Sequence, residues 1–363
     1  MAQYFQNMRS SEIAELRHDL NSNKMDEKKE AAKQVIAMMT IGKDVSGLFP
    51  HMAKCMETTS IELKKLVYLY IINYAKSQPD LTVMAVNSFQ KDSREKQNPL
   101  MRALAVRTMS CIRLERITEF LCEALKDALS DEDPYVKKTA AMAVSKLYVT
   151  SPRLVKEHSF VKMVQGLLLD GNAFVVANAC ASLIEISKAA EKNYLPFKKQ
   201  AYLNNALAAV NDTNEWGQIY ILEAISTHDI KDSAEAENII ERVLPRLAHN
   251  NPAVILAAIK IILKCLDLMN DTQKKEDGTS VKKQVVKKLA APLITLLATE
   301  PEIQYISLRN INFVVQKQPE IFDANIKVFF CKFNDPLYVK LEKIEILILV
   351  AEDRNAESIL NEL

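Results

Sequence analysis

Glycine is nearly missing from this sequence: six of its 363 residues, about a quarter of the roughly 7% of an average protein. Sheets, barrels and nucleotide-binding folds place glycine at tight turns and close backbone approaches. Its scarcity argues against all three and favours helices joined by short turns. Signatures of catalysis are missing too. No G-x-S-x-G, phosphate-binding loop, G-x-G-x-x-G or H-E-x-x-H occurs. The histidines (His18, His51, His158, His228, His249) lie far apart and read as surface or loop-end residues, without metal-ligand spacing. No cofactor, metal or catalytic activity is expected. A formal net charge of +1 gives no basic signal for nucleic acid. No uncharged apolar run reaches the roughly 18 residues of a membrane span, so any membrane association is expected to be peripheral. The cysteines (Cys55, Cys111, Cys122, Cys180, Cys265, Cys331) form no C-x-x-C pair and mostly sit in apolar helical patterns. They read as reduced, buried thiols in a cytosolic setting.

What is present is a repeated phrase: Asn or Asp, usually Pro, an apolar residue, then small residues. It reads Asn98-Pro99-Leu100, Asp133-Pro134-Tyr135, Asn172-Ala173-Phe174, Asn251-Pro252-Ala253, Glu300-Pro301-Glu302 and Asp335-Pro336-Leu337, with degenerate copies at Ser60-Ile61 and Asn214-Glu215-Trp216. Asp or Asn at a helix N-cap accepts a bond from an unpaired backbone N–H, and proline in the first turn loses no bond. Each phrase therefore begins a helix, and each follows another amphipathic stretch, such as residues 117–129 and 239–247. The unit is helix–turn–helix, recurring every 35 to 49 residues, the spacing of HEAT and armadillo arrays. Ala103, Ala140, Ala177 and Ala257 fall early in the second helices, where small side chains let a neighbouring helix approach. The predicted fold is all-α: one continuous solenoid of helix pairs over residues 1–363, with an exposed polar loop at about 271–280. The last residues read as mid-helix without a polar cap. Because solenoids need capping repeats, the sequence is expected to be part of a longer protein.

Other features have ordinary explanations. Asp131-Glu132-Asp133 suits a helix N-terminus, which favours negative charge. The lysines at 274–275, 282–283 and 287–288 read as a solvated face, as do those at 24–33, with anionic lipid headgroups as the alternative partner. Trp216, the lone tryptophan, is predicted to be core.

Several longer runs carry a resemblance. They are residues 42–50 (GKDVSGLFP), 62–79 (ELKKLVYLYIINYAKSQP), 98–113 (NPLMRALAVRTMSCIR), 131–140 (DEDPYVKKTA), 215–219 (EWGQI) and 327–343 (KVFFCKFNDPLYVKLEK). Together they resemble the N-terminal trunk of the β subunits of the heterotetrameric clathrin adaptors, the β1/β2-adaptin type. The likeness runs from Tyr4 to Leu363 and is weakest near residues 187–212 and 268–288.

The resemblance implies a right-handed α-solenoid that pairs with a second large adaptin, a medium subunit and a small subunit. It implies a peripheral protein of the trans-Golgi and endosomes or of plasma-membrane coated pits. Such a core binds phosphoinositide membranes and cargo signals, and in one version an Arf GTPase. Clathrin is bound by a hinge and appendage that lie beyond this sequence. Residue by residue, Tyr4 and Phe5 match aromatics that pack on the small subunit at the dileucine-signal pocket. Lys24, Lys28, Lys29 and Lys33 match basic phosphoinositide-facing positions, but Met25, Glu27 and Gln34 stand where the family usually has Lys. A weaker or shared lipid contact follows. The Arf-facing helix matches residues 81–87, with Val83 and Val86 at the apolar contact positions. Two rivals remain: a HEAT scaffold of another class, such as a nuclear transport receptor or phosphatase scaffold, and an enzyme built on a solenoid.

Overall fold

A computed structural model describes residues 10–269, 281–316, 322, 326–351 and 355–360. Among them the regular elements are helices, with no strand. The residues expected to form the polar loop, 271–280, lie outside the described set. The chain divides into two compact units, Met1–Pro196 and Phe197–Leu363.

The first unit begins with α1 (Ser10–Leu20), α2 (Met25–Thr40), α3 (Phe49–Lys54) and α4 (Ile61–Tyr74). It continues with α5 (Pro79–Met84), α6 (Val86–Ser93), α7 (Pro99–Cys111) and α8 (Glu115–Leu129). It closes with α9 (Pro134–Thr150), α10 (Pro152–Glu157), α11 (Phe160–Leu167) and α12 (Ala173–Ala190). Helices α4, α7, α9 and α12 stack side by side, while α6, α8 and α11 form a second layer against them. This is the helix-pair repeat the phrases predict.

The capping atoms explain where the first layer's helices start. Ser60 accepts from the Leu63 N–H, Asn98 from Met101, Asp133 from Tyr135, and Asn172 from Phe174 and Val175. Removing such a cap costs about 1 kcal/mol. The other layer is less regular. Its helices break at Ala85 and at Ser159, a non-glycine residue in the left-handed region at φ 56°.

Packing follows the small residues. Ala103, Ala140 and Ala177 are at most 2% exposed, and Tyr68, Tyr70, Phe49, Phe89 and Phe160 are fully buried. Each large apolar side chain buried this way contributes roughly 1.5–3 kcal/mol. By length and composition α12 could cross a membrane, with a mean hydropathy of 1.4; 56% of it is buried inside the protein. Its apolar surface is used by the core.

The second unit holds α13 (Gln200–Asp212), α14 (Glu215–Ser226), α15 (Ser233–Val243) and α16 (Pro252–Leu266), then α17 (Val281–Leu296), α18 (Pro301–Val315), α19 (Leu337–Val350) and α20 (Ala356–Leu360). Here α14, α16, α18 and α19 pack in succession. Asn214 and Asn251 cap α14 and α16 as the phrases predict, and Asp232, which lacks the proline cue, caps α15. The last phrase behaves differently. Pro336 occupies the cap of α19, and the Asp335 carboxylate instead accepts from Lys343 Nζ at 2.6 Å and from the Lys332 N–H at 2.8 Å.

Three expectations need correction here. Trp216 is 64% exposed, because α14 buries Gly217, Gln218, Ile221 and Leu222 and turns its own second residue outward. Ala257 is only half-buried; its neighbour Ala258 is in the core. His228 is not at the surface. It is 3% exposed, edge-on to Phe197, with Nε2 3.3 Å from Glu235 Oε1.

Within the first unit, charged pairs link one repeat to the next. Arg102 on α7 grips both carboxylate oxygens of Asp131 at 2.8 and 2.9 Å, in the turn before α9. Lys137 on α9 reaches Asp170, in the turn before α12, at 2.8 Å. Lys64 on α4 binds both Asp92 carboxylate oxygens, and the Tyr68 hydroxyl donates to the same carboxylate. Arg102, Lys137 and Lys64 each lie four residues after their helix cap, so one position of the repeat supplies each rung.

Candidate interaction sites

The four lysines matched to phosphoinositide-facing positions sit on or beside α2. Lys24 precedes the helix, and Lys28, Lys29 and Lys33 fall within it. Carboxylates surround them. Lys24 Nζ donates to Glu27 at 2.8 Å, and that bond, with one from Ser22, holds the Glu27 carboxyl below its usual range. Lys29 and Lys33 both lean across to α4, where Glu62 lies 3.1 Å from Lys29 and 3.8 Å from Lys33. The Lys29 hydrogen bond, then the charges of both lysines, lower the Glu62 carboxyl. Glu30 adds a further contact to Lys33 at 3.9 Å. Lys28 is half-buried, with no ion pair among the described residues. Four lysines thus share their surface with Asp26, Glu27, Glu30 and Glu62, so this is a charge-balanced face.

The segment matched to a GTPase-facing helix is not one helix. Helix α5 ends at Met84 and α6 starts at Val86, with Ala85 between them. The break rotates Val86 inward, where it is 2% exposed, so Val83 and Val86 do not present one outward face. Val83 is half-buried. The exposed apolar side chain is Met84, at 75%. Its position gave no cue in the sequence, because the run reads as a continuous helix until the Ala85 junction is seen.

Tyr4 and Phe5 lie outside the described residues. Asp131 and Asp133, the ends of the acidic run, are structural: one takes Arg102 and the other caps α9. All six cysteines are free thiols.

The adaptin N-terminal region family matches residues 6–363. The chain is 52% identical over 361 residues to the AP-1 complex subunit beta of Dictyostelium discoideum, covering 99% of this chain and 37% of that protein. It is 52% identical over 365 residues to the AP-1 complex subunit beta-1 of Homo sapiens, covering all of this chain and 37% of that protein. Identity to the Saccharomyces cerevisiae AP-1 complex subunit beta-1 is 42% over 345 residues, 95% of this chain and 46% of that protein. The chain thus spans less than half the length of each of these relatives. Among solved structures, a homology model of the full-length AP-3 complex in an intermediate open conformation contains a chain of the same fold. Its TM-score is 0.66 at 19% identity, covering 99% of this chain and 61% of that one.

Proposed function

Because this chain belongs to the adaptin N-terminal family, we propose that it is the trunk of a clathrin-adaptor β subunit. It is a non-enzymatic scaffold for cargo selection and coat assembly in vesicle transport. The observation that carries this reading is identity of 52% along essentially the whole chain to AP-1 beta subunits. Its partners are a second large adaptin, a medium subunit and a small subunit, and it works on the cytoplasmic side of Golgi, endosomal or plasma membranes. Clathrin is engaged by parts of the protein outside this sequence. Co-expression with the large, medium and small subunits of an AP-1 type complex tests the reading. One stable assembly on gel filtration is expected. Failure to assemble, with recovery of a nuclear-transport or phosphatase partner instead, overturns it.

Three contacts follow from the same proposal. Lys24, Lys28, Lys29 and Lys33 face phosphoinositide, and the carboxylates beside them weaken that contact. An Arf-type GTPase rests on Val83 and the exposed Met84, with Val86 as support from beneath. Tyr4 and Phe5 dock on the small subunit and close the dileucine pocket in the resting core. Met84→Asp should reduce GTPase binding without loss of helicity. Unchanged binding by the folded variant removes that site.

A further inference from the structure

Helices α7, α9 and α12 enclose an open cleft of about 330 Å³ on the first unit, lined by Arg107, Tyr135, Lys138, Lys146 and Asn178 among others. Its cations differ from the others on the same helices. Arg102 and Lys137 are tied to carboxylates, whereas Arg107, Lys138 and Lys146 meet none among the described residues. Lys138 Nζ instead lies 4.5 Å from the centroid of the Tyr135 ring and 5.9 Å from that of Phe174. The contact of Lys146 Nζ is the Cys111 sulfur, at 3.2 Å. Tyr135 and Phe174 are 40% and 41% exposed, so apolar surface borders the charge. Asn178 donates to the Phe174 carbonyl at 2.7 Å, which leaves its own carbonyl oxygen able to accept a backbone N–H.

Spacing selects the ligand. Lys138 and Lys146 are eight residues apart on α9, about 12 Å along a helix that rises about 1.5 Å per residue. Arg107 stands one helix over, about 8–10 Å away. One phosphate group is too small to reach all three. An extended chain advances about 3.3–3.6 Å per residue, so carboxylates three or four residues apart match the triangle. We propose that this cleft binds an extended acidic segment of a partner protein, with an apolar or aromatic side chain laid against Tyr135 and Phe174. This goes beyond the lipid, GTPase and subunit contacts above and uses none of their residues.

Fluorescence anisotropy tests it on the whole chain with a labelled peptide carrying glutamate at every third position and one phenylalanine. A matched glutamine peptide and phosphoinositide vesicles serve as the other arms. The glutamate peptide should bind and weaken with salt, the glutamine peptide should not, and Lys138→Glu with Lys146→Glu should lower affinity by about tenfold or more. Far-UV circular dichroism confirms the variant's fold. Should it misfold, Arg107→Gln on the exposed rim carries the test, with a smaller loss expected. Absence of glutamate-peptide binding, or equal binding by the folded variant, overturns the proposal. Vesicle binding that these substitutions abolish, without any peptide binding, assigns the cleft to membrane instead.

Discussion

Glu62 holds two lysines at once, and with Glu27 and Glu30 it sets how much positive charge α2 presents. Its pull on Lys29 and Lys33 competes with any anionic headgroup, since each lysine near a membrane surface is worth about 1 kcal/mol. Glu62→Gln should therefore raise binding to phosphoinositide vesicles, read by co-sedimentation. Unchanged sedimentation would mean that α2 does not face the bilayer. Burial makes a second residue-scale prediction. It pushes the Cys180 and Cys265 thiols up to about 12 and Cys122 up to about 11. At about pH 8 a thiol of that kind is thiolate in only about one molecule in ten thousand. Alkylation followed by intact mass should modify the half-buried Cys111 and Cys331 first and spare Cys180 and Cys265 until unfolding. Equal labelling of Cys180 in the native protein would contradict its packing in α12.

At the scale of elements, helix starts were legible, while facing was legible at Ala103, Ala140 and Ala177 but not everywhere. Asn98, Asp133, Asn172, Asn214 and Asn251 cap their helices because a cap is a local bond, made within three residues of itself. Trp216 was misassigned, and the inward turn of Val86 was not visible, because facing depends on which neighbour covers the helix, and on a break at Ala85 that no proline or glycine marks. Two glycines test the packing directly. A Cβ on Gly217 would stand 2.8 Å from Thr213 Cβ, whereas nothing lies within 4 Å of one on Gly166. Gly217→Ala should therefore destabilise by about 1–3 kcal/mol as an overpacked contact. Gly166→Ala, in the helix α11, should stabilise by about 0.5–1 kcal/mol by restricting the unfolded chain. Thermal melts should move in opposite directions. A shared direction would mean that Thr213 yields freely.

At the largest scale, the rungs between repeats of the first unit are announced by no local pattern. Arg102 and Asp131 are 29 residues apart, and Lys137 and Asp170 are 33, so only stacking brings them together. In a repeat array each unit depends on its neighbours, and a broken rung weakens both sides of an interface. These rungs also set a pH dependence. Burial works to raise the Asp131 and Asp170 carboxyls, but the hydrogen bonds and charges of Arg102 and Lys137, with backbone N–H bonds, outweigh it and hold both below the usual range. A carboxyl with a lowered folded value stabilises fully above its unfolded value, about 3.9, and the contribution is lost as pH falls through the folded one. Stability should thus be level from about pH 7 to about pH 5 for these groups and decline below about pH 4. Asp170→Asn should lower stability at neutral pH by roughly 1.5–3 kcal/mol, the worth of a hydrogen bond to a charged group. It should also flatten the acid limb, so that variant and parent converge at the lowest pH, where both side chains are neutral. A constant gap between the two curves at every pH would show that Asp170 acts by turn geometry alone, through its bond to the Asn172 N–H, and that the Lys137 rung adds nothing.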